Sequence, residues 1–189
     1  MKLREHTVKL HGERVGLRPM TEDDWNILLK WNNNPDVLYY AEGDDVSSRS
    51  LEQIQQIYRG VSQNAFCFTI EVDNVPVGEC WLQQMNLKRI LEKYPEKDCR
   101  RIDLMIGEKR LWGQGIGTDV IGTLTRFGFE VEQANFIFGC DIAENNRLSL
   151  RAFEKNGYHI ATKIEEPPGN KARLSYDLVI SREEFENKT

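Results

Sequence analysis

The chain has 189 residues, of which 40% are hydrophobic and 29% charged, and this suits one domain, residues 1–189, with a sizeable core. A net charge of −5 argues against a nucleic-acid partner and permits a cationic one. No apolar run approaches the roughly 20 residues of a membrane-spanning helix, and the first residues lack the apolar core of a signal peptide. We therefore expect a cytoplasmic protein, monomeric or homodimeric, without a membrane partner.

The cysteines give no sign of a metal centre. The four of them, Cys67, Cys80, Cys99 and Cys140, are scattered along the chain without metal-ligand spacing. We expect reduced thiols in or near the core, no metal, and no base partner that would make one of them an acyl-carrying nucleophile.

Hydrophobic periodicity and turn residues predict the secondary structure. The expected strands are residues 7–10, 14–19, 66–72, 75–82, 102–106, 136–141, 158–163 and 171–180. The expected helices begin at Thr21 and end at Asn32–Pro35, run from about 50 to 61 and from 116 to 131, and extend from Asn145 or Asn146 to Asn156. The expected loops are an aromatic and acidic one over 39–45, a polar one over 85–99 with a helical turn, and the charged tail. This order predicts an α/β (α+β layered) fold with a mixed sheet.

The centre of the chain combines a strand, a glycine-rich loop and the start of a helix. Gly113, Gly115 and Gly117 lie immediately before and at the start of the helix predicted from Ile116. Glycines there let backbone N–H groups approach a ligand closely, and a helix N-terminus favours anions, so the stretch predicts a phosphate cradle. The spacing matches neither the Gly-x-Gly-x-x-Gly of dinucleotide-binding folds nor a Walker loop, which would end in Gly-Lys-Ser/Thr. A tight strand-to-helix turn without a ligand is the alternative.

Two motifs resemble those of the GCN5-related N-acetyltransferases (GNAT superfamily). Arg110-x-x-Gly113-x-Gly115 followed by Ile116-Gly117-Thr118 is similar to the family's coenzyme A pyrophosphate loop, and residues 146–158 are similar to its second signature. The resemblance implies a single-domain fold with a mixed, mostly antiparallel central sheet flanked by helices, and acetyl-CoA as co-substrate. The coenzyme-binding residues that it implies are Met105, Ile106, Arg110, Gly113, Gln114, Gly115, Ile116, Gly117, Thr118 and Asn146.

The second motif departs from the family pattern at one position. The family usually has a tyrosine that lies near the thiol as a candidate general acid, and Phe153 stands there in this chain. A phenyl ring has no proton to give, so this side chain cannot protonate the departing thiolate.

A few residues resemble the aminoglycoside 6′-N-acetyltransferases in particular. Asp103 before the glycine loop and Asp141 after the next strand match aspartates that hold the substrate's amines in that subfamily, and residues 31–37 resemble its substrate loop. The resemblance implies a small polycationic amine as acceptor. The acceptor-binding residues that we expect are Asp103, Asp141, Trp31, Tyr39 and Glu42. For the aromatic residues the alternative is a role in packing, and it applies to Trp31, Tyr39, Tyr40 and Trp112. For the acids the alternative is a solvated position in a loop, and it applies to Glu42, Asp44 and Asp45.

Acetyl transfer to an amine needs a polarised thioester carbonyl and a neutral amine. A backbone N–H at Met105 or Ile106 could polarise the carbonyl. Asp103 is the candidate catalytic residue, because it alternates with Ile102 and Leu104 and so projects from the opposite face of the strand. An aspartate at its ordinary pKa near 3.9 is a weak base for an ammonium. We therefore expect it to position the ammonium electrostatically more than to remove its proton. The alternative for Asp103 is a solvated residue on the polar face of the strand. The alternative for Asp141 is a turn or cap residue.

The leading hypothesis is therefore an acetyl-CoA-dependent N-acetyltransferase acting on a small polycationic amine, an aminoglycoside 6′-amine by resemblance. The same chemistry on a protein N-terminus, a polyamine or a siderophore lysine is the second hypothesis. A coenzyme A-binding protein with little catalysis is the third, and Phe153 motivates it.

Overall fold

The computed structural model describes residues 1–41 and 48–187, and for Ala41 the backbone alone. Eight strands in these residues form one sheet. They are β1 (Leu10–His11), β2 (Gly16–Pro19), β3 (Ala65–Val72), β4 (Val75–Gln84), β5 (Cys99–Ile106), β6 (Phe136–Ala143), β7 (His159–Glu165) and β8 (Leu174–Ser181).

Helices flank the sheet on both faces. In the described ranges they are α1 (Trp25–Trp31), α2 (Pro35–Ala41), α3 (Leu51–Val61), α4 (Lys88–Lys93), α5 (Ile116–Glu130), α6 (Arg147–Lys155) and α7 (Arg182–Glu186). Short 3₁₀ turns cover Glu22–Asp24, Ser62–Asn64 and Lys109–Leu111. Within the part of the chain that the structure describes, no helix has the length and apolar character needed to cross a membrane.

The strands lie in the order β1-β2-β3-β4-β5-β6-β8-β7, and neighbours are antiparallel except for β5 and β6. The parallel pairing of β5 with β6 begins at Cys99 and Phe136 and ends at Arg101 and Phe138, although the strands continue to Ile106 and Ala143. The two strands therefore separate towards their C-terminal ends and open a gap in the middle of the sheet.

Two hydrophobic clusters on opposite faces hold the helices to the sheet. On one face α5 buries Val120, Ile121 and Leu124, each 0% exposed, against β-strand residues such as Leu82. On the other face α1 and α3 pack with Met105 of β5 in a second cluster. Because α1–α3 and α5 cover different faces, the gap between β5 and β6 is flanked by helices on both sides.

Local sequence signals account for the main turns. Asp73 and Asn74 have φ angles of 52° and 60° between β3 and β4, the left-handed conformation that tight hairpin turns need and that Asp and Asn tolerate. Asn146 caps α6 by accepting a hydrogen bond from Ser149 N, and Gly157 follows the helix with φ 87°. The sequence-based predictions of these turns and caps are confirmed.

Several predicted boundaries are wrong. Residues 39–41 belong to α2 (Pro35–Ala41) rather than to the predicted loop, since Pro35 opens a helix and its preset φ suits the first turn. The tail contains α7, capped by Ser181. The first strand is reduced to Leu10–His11, and β6 continues past Asp141 to Ala143.

Candidate active site

Two cavities meet where β5 and β6 separate. One, of about 270 Å³, lies over the glycine loop and the starts of α5 and α6. The other, of about 560 Å³, lies on the other side of β5 beside α2 and α3. Both are lined by the same residues at the junction, namely Tyr40, Leu104, Met105, Asn146 and Ser149. We call them the donor cavity and the acceptor cavity.

The donor cavity contains the predicted phosphate cradle. Gly113 and Gly115 have φ angles of 72° and 86°, and Gly115 is the N-cap of α5. None of the described side chains caps α5, so its first N–H groups are available to an anion. The helix N-terminus also carries a partial positive charge. The residues present therefore fit a pyrophosphate group.

Asp119 fixes the position of this helix start, and the sequence analysis did not single it out. Its carboxylate accepts hydrogen bonds from the backbone N of Glu13, Arg14 and Val15 at 3.0, 2.7 and 3.1 Å, which ties the β1–β2 turn to α5. The Arg14 guanidinium in turn donates to Gln114 O. The hairpin thus supports the glycine loop from outside the cavity.

Most of the predicted coenzyme residues line the donor cavity. They are Met105, Ile106, Gly113, Gly115, Ile116, Gly117, Thr118 and Asn146. Arg110 and Gln114 do not line it, because their side chains are exposed at the outer edge of the loop, where Gln114 Nε2 donates to Arg110 O. Arg151 and Lys155 also line it, and their i, i+4 spacing on α6 was a signal that sequence reasoning missed. They add positive charge beside the cradle.

The hydrogen bonds between β4 and β5 indicate which of the two predicted amide donors, Met105 N–H or Ile106 N–H, faces the gap. Gly107 N donates to Val77 O at 2.9 Å, so Gly107 faces β4. Backbone groups of successive residues point to alternate edges of a strand, so those of Ile106 face the gap and those of Met105 face β4. The Ile106 carbonyl accordingly accepts from Trp112 Nε1 at 2.7 Å. We therefore expect Ile106 N–H, rather than Met105 N–H, to contact a thioester carbonyl.

Asp103 lies in the acceptor cavity and is already paired. Its carboxylate accepts from Arg101 Nε and Nη2 at 2.8 and 2.7 Å and from Trp81 Nε1 at 3.0 Å. Arg101 is two residues away on the same strand, so both side chains project from the same face. This pairing fixes the orientation of the Asp103 carboxylate.

Asp141 lies across the same cavity, at an irregularity in the pairing of β6 with β8. The register shifts between Gly139 and Ile142, and Asp141 has a φ of 54°. Such a bulge redirects a side chain, here into the acceptor cavity. Arg89 Nη2 bridges Asp141 Oδ1 at 2.6 Å and Asp177 Oδ1 at 2.8 Å. The fold thus brings the two predicted aspartates to one cavity, each with an arginine.

The other predicted acceptor residues have different positions. Tyr39 lies on α2, lines the acceptor cavity, and stacks edge-on against Tyr40 with ring centroids 4.9 Å apart. Trp31 is 0% exposed in the cluster under α1 and donates from Nε1 to Glu108, so the prediction that it contacts the acceptor is wrong. Glu42, with Asp44 and Asp45, lies outside the described residues.

Burial keeps the nearby thiols neutral. Desolvation raises the pKa of Cys67 to about 12 and raises the pKa of Cys140, which lines the acceptor cavity, well above its usual range. The thiolate, which is the nucleophilic form, is therefore disfavoured at both positions.

Phe153 lines part of the acceptor cavity, but most of its ring is packed in the core. It is 2% exposed, its ring contacts Tyr158 at 5.0 Å between centroids, and a Cβ added to Gly139 would lie 2.6 Å from its Cζ. The position where a tyrosine would carry its hydroxyl is thus directed at the β6 backbone.

We expect Phe153→Tyr to change kcat by less than about tenfold, or 1.4 kcal/mol of barrier. The coenzyme A thiolate is a moderately stable leaving group, so positioning and electrostatics can supply catalysis without an acid at this residue. Steady-state kcat with acetyl-CoA and a turned-over acceptor measures the effect. A gain of several orders of magnitude would instead show that the missing hydroxyl limits the natural protein.

Comparison with known proteins agrees with this geometry. The model of the family described as the acetyltransferase (GNAT) domain matches residues 14–159. The aminoglycoside N(6′)-acetyltransferase type 1 of Klebsiella pneumoniae is 22% identical over 163 residues, which are 84% of this chain and 80% of that protein.

Two solved structures have similar folds. AAC(6′)-Ib in complex with ribostamycin and coenzyme A superposes with a TM-score of 0.77 at 21% identity, covering 92% of this chain and 97% of that one. RimJ of Mycobacterium smegmatis in complex with CoA-disulfide gives a TM-score of 0.76 at 18% identity, covering 94% and 89%. The predicted fold class, a mixed and mostly antiparallel sheet flanked by helices, is confirmed. With its domain match over residues 14–159, the chain belongs to the GNAT acetyltransferases.

Proposed function

We propose that this acetyltransferase transfers the acetyl group to a primary amine of a small polycationic acceptor, with an aminoglycoside 6′-amine as the leading candidate. The observation that carries the proposal is the junction of the two cavities at Leu104 and Met105, with Asp103 and Asp141 on the acceptor side. The curated relative of similar length, an aminoglycoside N(6′)-acetyltransferase, supports the choice of acceptor.

The geometry fits direct transfer within a ternary complex. The cradle at Gly113–Thr118 holds the pyrophosphate, and the gap between β5 and β6 admits the arm that carries the thioester. Ile106 N–H then faces the gap as a single donor to the carbonyl oxygen, on which negative charge develops. An amine that enters from the acceptor cavity reaches the carbonyl carbon across Met105, which lines both cavities.

The charges of the acceptor cavity favour a second candidate, a less cationic amine such as a protein N-terminus. The described charged side chains that line it are Arg49, Glu79, Asp103, Asp141, Glu166 and Lys171. Arg101 and Arg89 further neutralise two of the acids. A polycation would therefore have to share these carboxylates with the arginines or displace the arginines from them. A single amine needs only one carboxylate.

Turnover of acetyl-CoA against an acceptor panel tests the proposal. Thiol release is measured with kanamycin, with spermidine and with a peptide that has a free N-terminus, and mass spectrometry locates the added acetyl group. We expect kcat/KM to be highest for kanamycin, modified at the 6′-amine. A preference for the peptide would favour the second candidate, and no turnover of any primary amine would overturn the proposed function.

A further inference from the structure

We propose that Glu79 is the general base of the transfer, a carboxylate that takes the first proton from the acceptor's ammonium group. This assignment rests on the proposed function, acetyl transfer to a primary amine. The sequence analysis did not single out Glu79, because it is an isolated acid within a hydrophobic strand.

Glu79 is a buried carboxylate that lines the acceptor cavity. It lies in the middle of β4 and is 4% exposed. Its Oε2 atom is buried and has no hydrogen-bond partner within the described ranges. A buried acceptor of this kind costs free energy unless something else compensates it, so an unpaired one at a cavity wall points to a ligand donor.

The sheet register places Glu79 beside the reacting centre. Glu79 pairs directly with Met105 across the antiparallel β4–β5 ladder, so the two side chains project from the same face roughly 5 Å apart at Cβ. Met105 lines both cavities at their junction. An amine that approaches the thioester from the acceptor side thus passes within reach of Glu79.

A buried network orients the carboxylate. Tyr58 of α3 lines the same cavity and lowers the pKa of Glu79, and the Tyr58 hydroxyl accepts from Asn32 Nδ2 at 3.0 Å. Since Asn32 supplies that proton, the Tyr58 O–H is left to donate to Glu79. Asn32 Nδ2 also donates to Leu28 O at 2.9 Å, which fixes the amide.

Glu79 suits proton removal better than Asp103 does. Three hydrogen bonds from Arg101 and Trp81 occupy the carboxylate oxygens of Asp103, which leaves them less available to take a proton from the acceptor. Burial, and then the charge of Asp103, raise the pKa of Glu79 well above its usual range, which makes it a stronger base than an ordinary carboxylate. A base works best when its pKa lies close to the operating pH.

The ammonium gives one proton to Glu79 and becomes a neutral amine, whose lone pair attacks the thioester carbon. The C–N bond forms, the C–S bond breaks, and the electron pair leaves with the sulfur. The second N–H proton passes to the thiolate, and Glu79 then returns its proton to water.

The charged and titratable groups that face Glu79 come from each neighbouring element. They are Tyr58 of α3, Cys67 of β3 and Asp103 of β5 with its partner Arg101, while Arg49 lines the same cavity. Burial raises the pKa of Tyr58 and of Cys67, so both side chains stay neutral near pH 7.

The first test is Glu79→Gln, which keeps the shape of the side chain and removes the base. We expect kcat/KM for the best acceptor to fall about 100-fold or more at pH 7, with acetyl-CoA affinity by calorimetry within about threefold of the wild type. The deficit should shrink as the pH approaches the pKa of the acceptor's ammonium, because a free amine needs no base. Glu92→Gln, an exposed acid on α4, is the matched control.

The second test is Tyr58→Phe, which removes the hydroxyl that lowers the pKa of Glu79. The pKa of Glu79 should rise, so the acid limb of the kcat/KM profile should move to higher pH. A merely structural role for Tyr58 would lower the rate without moving this limb. Circular dichroism and thermal unfolding check that both variants fold.

The outcomes separate the two proposals. Wild-type turnover combined with an unchanged rate and pH profile in Glu79→Gln would overturn the Glu79 assignment alone. A rate deficit in Glu79→Gln that is constant with pH, or a Tyr58→Phe limb that stays in place, would also overturn it. Absence of turnover by the wild type with every primary amine would overturn the proposed function and the Glu79 assignment together.

Discussion

Gly115→Asp is expected to weaken acetyl-CoA binding by more than about 100-fold, or 2.7 kcal/mol. Gly115 has a φ of 86°, where a side chain costs roughly 1–2 kcal/mol. It is also the N-cap of α5, so the new carboxylate would lie where the pyrophosphate is expected and repel it. Isothermal titration with acetyl-CoA measures the change, and an affinity within about threefold of the wild type would contradict the placement of the pyrophosphate.

Two further glycine variants separate charge from strain. Gly115→Asn has nearly the same shape as the aspartate, tolerates the left-handed conformation and carries no charge, so it should retain more affinity than Gly115→Asp. Gly169→Asp introduces the same residue at a φ of 106° where an added Cβ would meet nothing within 4 Å, and it lies away from the glycine loop. We expect Gly169→Asp to bind acetyl-CoA as the wild type does.

Asp103→Asn is expected to lower kcat/KM for a cationic acceptor by about 30- to 100-fold, while acetyl-CoA affinity changes less than about threefold. A hydrogen bond to a charged group contributes roughly 1.5–3 kcal/mol, and the asparagine removes the charge. It also leaves Arg101, whose side chain is 15% exposed, without its carboxylate counter-charge beside the arriving ammonium. Steady-state kinetics with the best acceptor and calorimetry with acetyl-CoA give the two quantities.

A similar ion pair outside the acceptor cavity provides the control for Asp103→Asn. Asp98 also pairs with an arginine two residues later, Arg100, through contacts of 2.5 and 2.9 Å. Asp98→Asn should cost comparable stability in denaturant unfolding and leave kcat/KM near the wild-type value. Equal kinetic losses in both variants would show that Asp103 acts through stability alone. Wild-type kinetics in Asp103→Asn would show that Asp103 has no role in binding or turnover of the acceptor.

Residue order predicted the donor side of the site more completely than the acceptor side. The glycine loop, the α5 start and Asn146 lie close together along the chain or at helix starts, and their spacing sets backbone geometry directly. Arg151 and Lys155 could have been found from their i, i+4 spacing on α6. Arg14 could not, because it is about 100 residues from Gln114 in sequence and reaches it through the β1–β2 turn.

The acceptor side depended on contacts between distant residues. Trp31 reads as an aromatic residue of a substrate loop, yet α1 turns it into the core. Glu79 reads as an ordinary polar residue in a strand, and its burial follows from α3 covering that face of β4. The arginines that pair with Asp103 and Asp141 carry no motif, and Arg89 reaches Asp141 from 52 residues away.

By itself, the sequence determined the order of the strands and main helices along the chain and the resemblance to an acetyltransferase family, and it predicted a phosphate cradle. Those features follow from periodicity, turn residues and glycine positions, which act over a few neighbouring residues. The tertiary structure alone decided that β5 and β6 separate after Arg101 and Phe138, that the two cavities meet at Met105, and that Glu79 faces one of them. Strand pairing and the burial of a carboxylate depend on elements far apart in the chain, so no local pattern specifies them.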